Sequence, residues 1–362
     1  MNNKKIGILT FQNAVNFGAI LQTYALNKVI NKSNICCETI DYNSKKIKNA
    51  YKIIKIGSVN LFVNSIIGLK DNIIKKAKFK SFLKKNVKMS LKKYNEKNIS
   101  LSNDDYSVFI TGSDQVWNLD LSEDKNYYLD FVDENRNLLN SYAASFGNIN
   151  MIERNKEYIN CILKKYNYIT VREKTAQEKL DEILKIKSTL VLDPTFLLDK
   201  EDWNRVIKNK RKTKKYILLY ILHEEDAYII ANRIHELTGL KIIVLNQSYK
   251  KRIKAKYIRN AGPDEFLNYI KNSEYVITDS FHGTALSIIF RKNLKVVLKN
   301  KNKHLNDRLV SILKLFDLNK CIVNTSSSNK ELILKTDYTD SEKLIEKEIL
   351  KSKEVLNKML NN

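Results

Sequence analysis

Proline and glycine are scarce in this sequence, two and nine among 362 residues. Flexible linkers and polyproline spacers need far more of both, so neither organises this chain. Four cysteines, Cys36, Cys37, Cys161 and Cys321, show no metal-ligand spacing. Adjacent cysteines suit neither zinc nor an ordinary structural disulfide, and a reducing cytoplasm fits this usage. No acidic cluster suggests a divalent metal, and no Cys–His pair suggests a thiol nucleophile. Nothing points to a bound cofactor. No apolar run approaches the roughly 18 residues of a membrane span. Met1–Thr10 runs straight into an apolar stretch and shows no secretory signal.

Acids are also in short supply. Lys and Arg number 64 against 40 Asp and Glu, giving a net charge of +24. Such a charge concentrates anions: phosphorylated substrates, acidic lipid headgroups or nucleic acid. The bias toward Lys, Asn, Ile and Tyr that an AT-rich genome produces would account for many surface lysines without function. With 43% hydrophobic residues the chain can bury real cores. Its length suits two domains rather than one.

Strand and helix patterns alternate along the chain. Lys5–Thr10 reads as a strand, Ala19–Asn31 as a helix and Cys37–Tyr42 as a strand, the start of a parallel sheet. Residues 45–98 differ, with sixteen lysines against two acids, Asp71 and Glu96, interleaved with isoleucines. This pattern predicts one or more basic amphipathic helices. They are a solvated face over the sheet, a membrane-surface contact or, least favoured, a nucleic-acid contact. Further strands are expected at Tyr106–Thr111, Leu138–Ala144, Tyr168–Val171 and Thr189–Leu192. A second series follows a lysine-rich connection, with strands at Tyr216–Leu222, Lys241–Leu245, Tyr275–Thr278 and Leu294–Leu298. Helices are expected between them. The reading is α/β with two doubly wound domains, 1–205 and 206–340, and a closing helix over 341–362.

Polar clusters sit just after strand ends, where open α/β sheets bind ligands. In Val276–Phe290 a strand runs into Asp279-Ser280-Phe281-His282-Gly283-Thr284 and a helix starts at once. A helix N-terminus offers free N–H groups and a positive dipole end to an anion. Gly283 permits close backbone approach. His282 is the candidate proton donor. The alternative makes Asp279, Ser280 and Thr284 helix caps only. Arg172 follows the strand Tyr168–Val171 and could grip an anion with two parallel bonds, or form an ion pair with Glu173 or another acid. Asp114 in Gly112-Ser113-Asp114-Gln115 is a candidate base or a cap. Asn16, Phe17 and Gly18, with Trp117, could shape an acceptor site. Trp117 is a sugar platform or core. Arg308 belongs to a basic group with Lys299, Lys301, Lys303 and His304.

Six blocks together, NFGAILQTYAL (16–26), FITGSDQVWN (109–118), SYAASFG (141–147), TVREKTA (170–176), LVLDPTFLL (190–198) and ITDSFHGTALSIIF (277–290), resemble the polysaccharide pyruvyl transferase family. The resemblance implies a fold of two Rossmann-like domains facing a cleft, called GT-B. It also implies transfer of a pyruvyl group from phosphoenolpyruvate to two hydroxyls of a sugar, forming a ketal. The acceptor would be a cell-surface polysaccharide or its lipid-linked precursor. The family's histidine corresponds to His282 and its first-domain arginine to Arg172. Relatives carry a second arginine two residues before the histidine, where this chain has Ser280. That departure points to a different anionic donor, or to substitution by the Lys299–Arg308 group. Two other readings stand beside this one: a GT-B glycosyltransferase using a nucleotide sugar, and a non-catalytic basic protein binding membrane or nucleic acid.

Overall fold

A computed structural model describes residues 5–50, 66–208, 215–223, 225–245, 250–299 and 306–361. The chain divides into two compact units. One comprises Met1–Tyr51, Leu83–Leu198 and Glu346–Asn362, the other Lys52–Phe82 and Asp199–Ile345. The division falls near 199, and part of the lysine-rich segment groups with the second unit.

Among its described residues the first unit holds five parallel strands, β1 (Lys5–Leu9), β2 (Cys36–Tyr42), β3 (Met89–Tyr94), β4 (Val108–Thr111) and β5 (Leu138–Ser141). Their order is β3-β2-β1-β4-β5. Two short strands, β6 (Thr170–Val171) and β7 (Thr189–Leu190), pair with each other. Bridges Asn140–Tyr168 and Ala144–Val171 carry the pairing on from β5. Alternation along each strand feeds two cores, as a sheet covered on both faces requires. Ile6, Ile8, Val108 and Ile110 pack with Leu356, Met359 and Leu360 of the last helix, Thr339–Asn361. Leu9, Ile40 and Phe109 point into the other core.

The second unit's sheet runs, among described residues, in the order β10-β9-β8-β11-β12-β13. Its strands are β8 (Tyr216–Tyr220), β9 (Lys241–Leu245), β10 (Lys256–Ile258), β11 (Tyr275–Thr278), β12 (Asn293–Val297) and β13 (Ile322–Val323), all parallel. This 3-2-1-4-5-6 arrangement is Rossmann-like, with its topological switch between β8 and β11. The helix Asp226–Thr238 buries Ala227, Ile230, Ala231 and Ile234 against Ile217, Leu219, Ile242 and Val244. Gly239 (φ +69°) ends that helix in the left-handed region.

Within residues 45–98, helices at Lys45–Ala50 and Leu69–Asn86 are followed by the edge strand β3, which the pattern does not predict. Strand alternation fails there because the register with β2 shifts between Thr39 and Asp41 and Leu91 is 98% exposed. Residues 51–65 of this segment lie outside the described residues.

Candidate functional site

In the second unit, β8 and β11 pair up to Tyr220 and Thr278, and just beyond them Asp279 ties the two loops together. Its two carboxylate oxygens accept the backbone N–H groups of Leu222 and His223, each at 2.7 Å. The loop after β8 is thereby fixed to the start of the helix Phe281–Ile289. Ser280 is the N-cap, and its Oγ accepts from the Gly283 N–H at 3.4 Å. Thr278 Oγ1 donates to the Tyr220 carbonyl at 2.7 Å and accepts from the Ser280 N–H at 3.1 Å. A Cβ on Gly283 would lie 2.5 Å from Thr278 Oγ1 and 3.1 Å from Tyr220, so only glycine fits this helix–strand approach. His282 therefore stands in the first helical turn, nearly buried, edge-on to Phe281 with ring centroids 5.2 Å apart. Thr284 and Ser287 are fully buried behind it.

In the first unit the switch lies between β1 and β4. There Thr10 Oγ1 donates to the Ser113 carbonyl at 3.0 Å and accepts from Gln22 Nε2 at 2.8 Å. Ser113 Oγ donates to Asp193 Oδ2 at 2.9 Å. Arg172 Nη1 donates to the same Asp193 oxygen at 2.8 Å, and its Nε donates to Glu173 at 3.2 Å. Asp193 also caps the turn Pro194–Leu197 through the Thr195 N–H and hydroxyl. The side chains of Arg172 and Asp193 are 2% and 0% exposed. Burial disfavours the guanidinium's charge, but Glu173, Asp193 and Asp114 outweigh it and hold its pKa above the ordinary value. Asp114, half-buried, sits at φ +78° and its carboxylate accepts from the next N–H, of Gln115, at 2.9 Å. Neighbouring Ala143 (φ +54°) is also left-handed, and such strained turns gather where a chain holds a fixed surface.

The expected residues thus fall into two groups. His282, Ser280, Gly283 and Thr284 share one strand–helix turn. Arg172 lies in a polar network of the first unit with Asp193 and Ser113, and Asp114 adds to its negative surroundings. The sequence reads Arg172 either as a fork for an anion or as an ion pair with Glu173 or another acid; its Nη1 meets Asp193 and its Nε meets Glu173. Trp117 requires a correction: it is fully buried, stacked on Tyr128 with centroids 5.6 Å apart, and is core rather than a sugar platform. Asn16 caps the helix Phe17–Lys32, accepting from Ala19 N–H at 3.2 Å, while Phe17 and Gly18 are buried in its first turn. Arg308 lies in the helix Asp307–Leu315, whose approach is closed by Asn306 bonding both backbone groups of Lys299. Lys301, Lys303 and His304 lie outside the described residues. A cavity of about 710 Å³ lined by Tyr216, Lys241, Lys256 and Tyr269 opens at the amino ends of β8–β10, away from the edge where such sheets bind ligands.

A sequence family described as polysaccharide pyruvyl transferase matches residues 16–294. The chain belongs to this family. It is accordingly a transferase of the pyruvyl transferase type, and its matched span takes in Asp114, Arg172 and His282 but ends before Arg308. No significant sequence match to a curated protein is found. Among solved structures, a UDP-GlcNAc 2-epimerase from Methanocaldococcus jannaschii is similar at TM-score 0.51 and 15% identity, covering 94% of this chain and 98% of that one. A UDP-GlcNAc 2-epimerase from Neisseria meningitidis, bound to UDP-GlcNAc, is similar at TM-score 0.50 and 10% identity, covering 99% and 100%. At these identities the likeness is one of fold, and the fold is GT-B-like.

Two residues of this pyruvyl transferase gain roles that sequence reading did not assign. Asp193 is a hydrogen-bond partner of Arg172 at 2.8 Å; the only local signal was its position after a strand and before Pro194. His223 is exposed at the carboxyl end of β8, with its N–H held by Asp279. A histidine directly after the first strand of the second series was the signal available.

Proposed function

We propose that the protein transfers a pyruvyl group from phosphoenolpyruvate to two hydroxyls of a sugar, on a cell-surface polysaccharide or its lipid-linked precursor. The observation that carries this reading is His282 in the first turn of a helix at the second sheet's switch point, with Asp279 locking the adjacent loop. His282 donates a proton to the methylene carbon of the donor as one sugar hydroxyl attacks the neighbouring carbon. The carbon–oxygen bond to phosphate then breaks, and the second hydroxyl closes the ketal. Of the two hydroxyl protons released, one balances the proton that makes the methyl group and the other leaves with phosphate.

The N–H groups opening the helix Phe281–Ile289 hold the donor's anionic end. Ser280 leaves that end without the arginine that relatives carry, so the helix terminus, not a side-chain fork, is the main anion contact. Arg172 acts as a positioning residue: with Asp193 and Ser113 it fixes the turn that presents Asp114. Asp114 takes up the hydroxyl proton of the acceptor, and Asn16 lies at the corresponding turn after β1. The place of work in this reading is a reducing cytoplasm, which the spacing of the four cysteines fits.

Thermal unfolding with candidate donors, alongside phosphate release in the presence of a diol sugar, tests the assignment. Millimolar phosphoenolpyruvate should stabilise the protein, by about 2.7 kcal/mol at a hundred times its dissociation constant. Phosphate should compete. Stabilisation by a nucleoside diphosphate and none by phosphoenolpyruvate would transfer the protein to the nucleotide-sugar reading.

A further inference from the structure

The helix Leu69–Asn86 has two unlike faces. Phe79 and Phe82 are buried, Lys78 pairs with Glu265 at 2.7 Å, and Asp71 accepts from Asn260 at 2.7 Å, so this side is docked on the second unit. The opposite side carries Lys70, Ile73, Ala77, Lys80 and Lys84, all exposed and spaced three or four apart, with exposed Lys76 beside them. One turn earlier, Ile66 and Ile67 are 51% and 54% exposed, and Ile73 is 49% exposed. The helix's single acid, Asp71, lies off this stripe.

Three large apolar side chains in water beside four lysines are hard to explain as solvated surface. Lysine stems lie along an apolar boundary while their ammonium groups reach outward, and isoleucine fills the space between. We infer that this stripe seats the protein on an anionic lipid surface, the isoleucines entering the headgroup–acyl boundary and Lys70, Lys76, Lys80 and Lys84 meeting acidic headgroups. A nucleic-acid backbone would satisfy the lysines but offer the isoleucines nothing. The inference does not rest on the donor assignment, since it uses none of the residues placed in the transfer site.

Flotation of the full chain with vesicles tests it, comparing phosphatidylcholine alone with phosphatidylcholine plus 30% phosphatidylglycerol. Binding should require the acidic lipid and weaken in high salt. Changing Lys70, Lys76, Lys80 and Lys84 to Gln should lower partitioning by about fivefold per lysine, several hundredfold in all. The same number of changes on the last helix, at exposed Lys343, Lys347, Lys353 and Lys358, should lower it much less. Ile66→Ser with Ile67→Ser and Ile73→Ser should lower it roughly tenfold or more at unchanged charge. Circular dichroism confirms that each variant folds. No binding to acidic vesicles at low salt, equal losses in the two lysine sets, or full binding by the isoleucine variant would each overturn the inference. Loss of duplex DNA binding in the lysine variant, with vesicle binding unaltered, would give the stripe to nucleic acid instead. Transfer to a soluble sugar, assayed in parallel, should be unchanged in every stripe variant.

Discussion

The two switch points of this molecule are built alike and lined differently. In each, loops from two parallel strands meet at the sheet's carboxyl edge. In the first unit that edge is filled with hydrogen-bonded polar groups: the side chains of Gln22, Thr10, Asp193 and Arg172, and the carbonyl and hydroxyl of Ser113. In the second, Asp279, Ser280 and Thr278 bind backbone groups and shape the turn that carries His282. The lesson is that a charged residue at a strand end is available to a ligand only if its neighbours have not already claimed it. Two buried cations show the same contrast. Carboxylates hold the Arg172 pKa above its ordinary value, whereas burial pushes Lys75, lying over Phe79, down to about 8.

The largest expected effect is at Arg172. Arg172→Ala leaves Asp193 and Glu173 buried without their guanidinium, so stability should fall by about 3–5 kcal/mol. Arg172→Lys should recover only part of this, because one ammonium cannot replace two directed bonds. Urea unfolding measures it. A drop confined to activity, with normal unfolding, would break the comparison by making Arg172 a ligand residue after all.

His282→Gln should behave in the opposite way. Turnover should fall by roughly a hundredfold or more while the unfolding midpoint and donor-induced stabilisation are nearly kept. Normal turnover in that variant would remove His282 from the chemistry.

Lys75 gives a smaller, pH-dependent effect. Its folded pKa, about 8, lies below the usual 10.5, so between these values the unfolded chain binds more protons. Stability should therefore rise as pH goes from 8 to 10.5, and the burden of the buried charge is fully present below pH 8. Lys75→Met should raise the melting temperature at pH 7 and flatten that rise. Parallel melting curves for both proteins from pH 7 to 10.5 would show otherwise if Lys75 keeps its charge at no cost.

The smallest effect is at the helix cap. Ser280→Ala should cost about 1 kcal/mol or less, the long 3.4 Å bond placing it at the low end. Ser280→Arg should lose the same cap yet keep or strengthen phosphoenolpyruvate binding. A weakened donor shift in the arginine variant would count against an anion site at this turn.

Much of this was legible in the residues. The strands Tyr275–Thr278 and Lys241–Leu245 are legible at their observed bounds, because short apolar runs end there in polar residues. The His282 turn was legible because strand, histidine, glycine and helix follow within a few residues. The edge strand β3 was not, since an exposed, bulged edge carries no alternation.

By itself, then, the sequence determined whatever depends on neighbours along the chain: the alternation of strands and helices, the turn bearing His282 and the surplus of lysine. Tertiary structure alone decided which groups meet across distance. Arg172 and Asp193 are 21 residues apart and Ser113 lies 59 residues from Arg172, yet they share one buried network. The same held for Trp117, core rather than platform, and for the lysine helix, one face docked and the other exposed. Burial and pairing are settled by which surfaces leave water together, and local pattern carries no record of that choice.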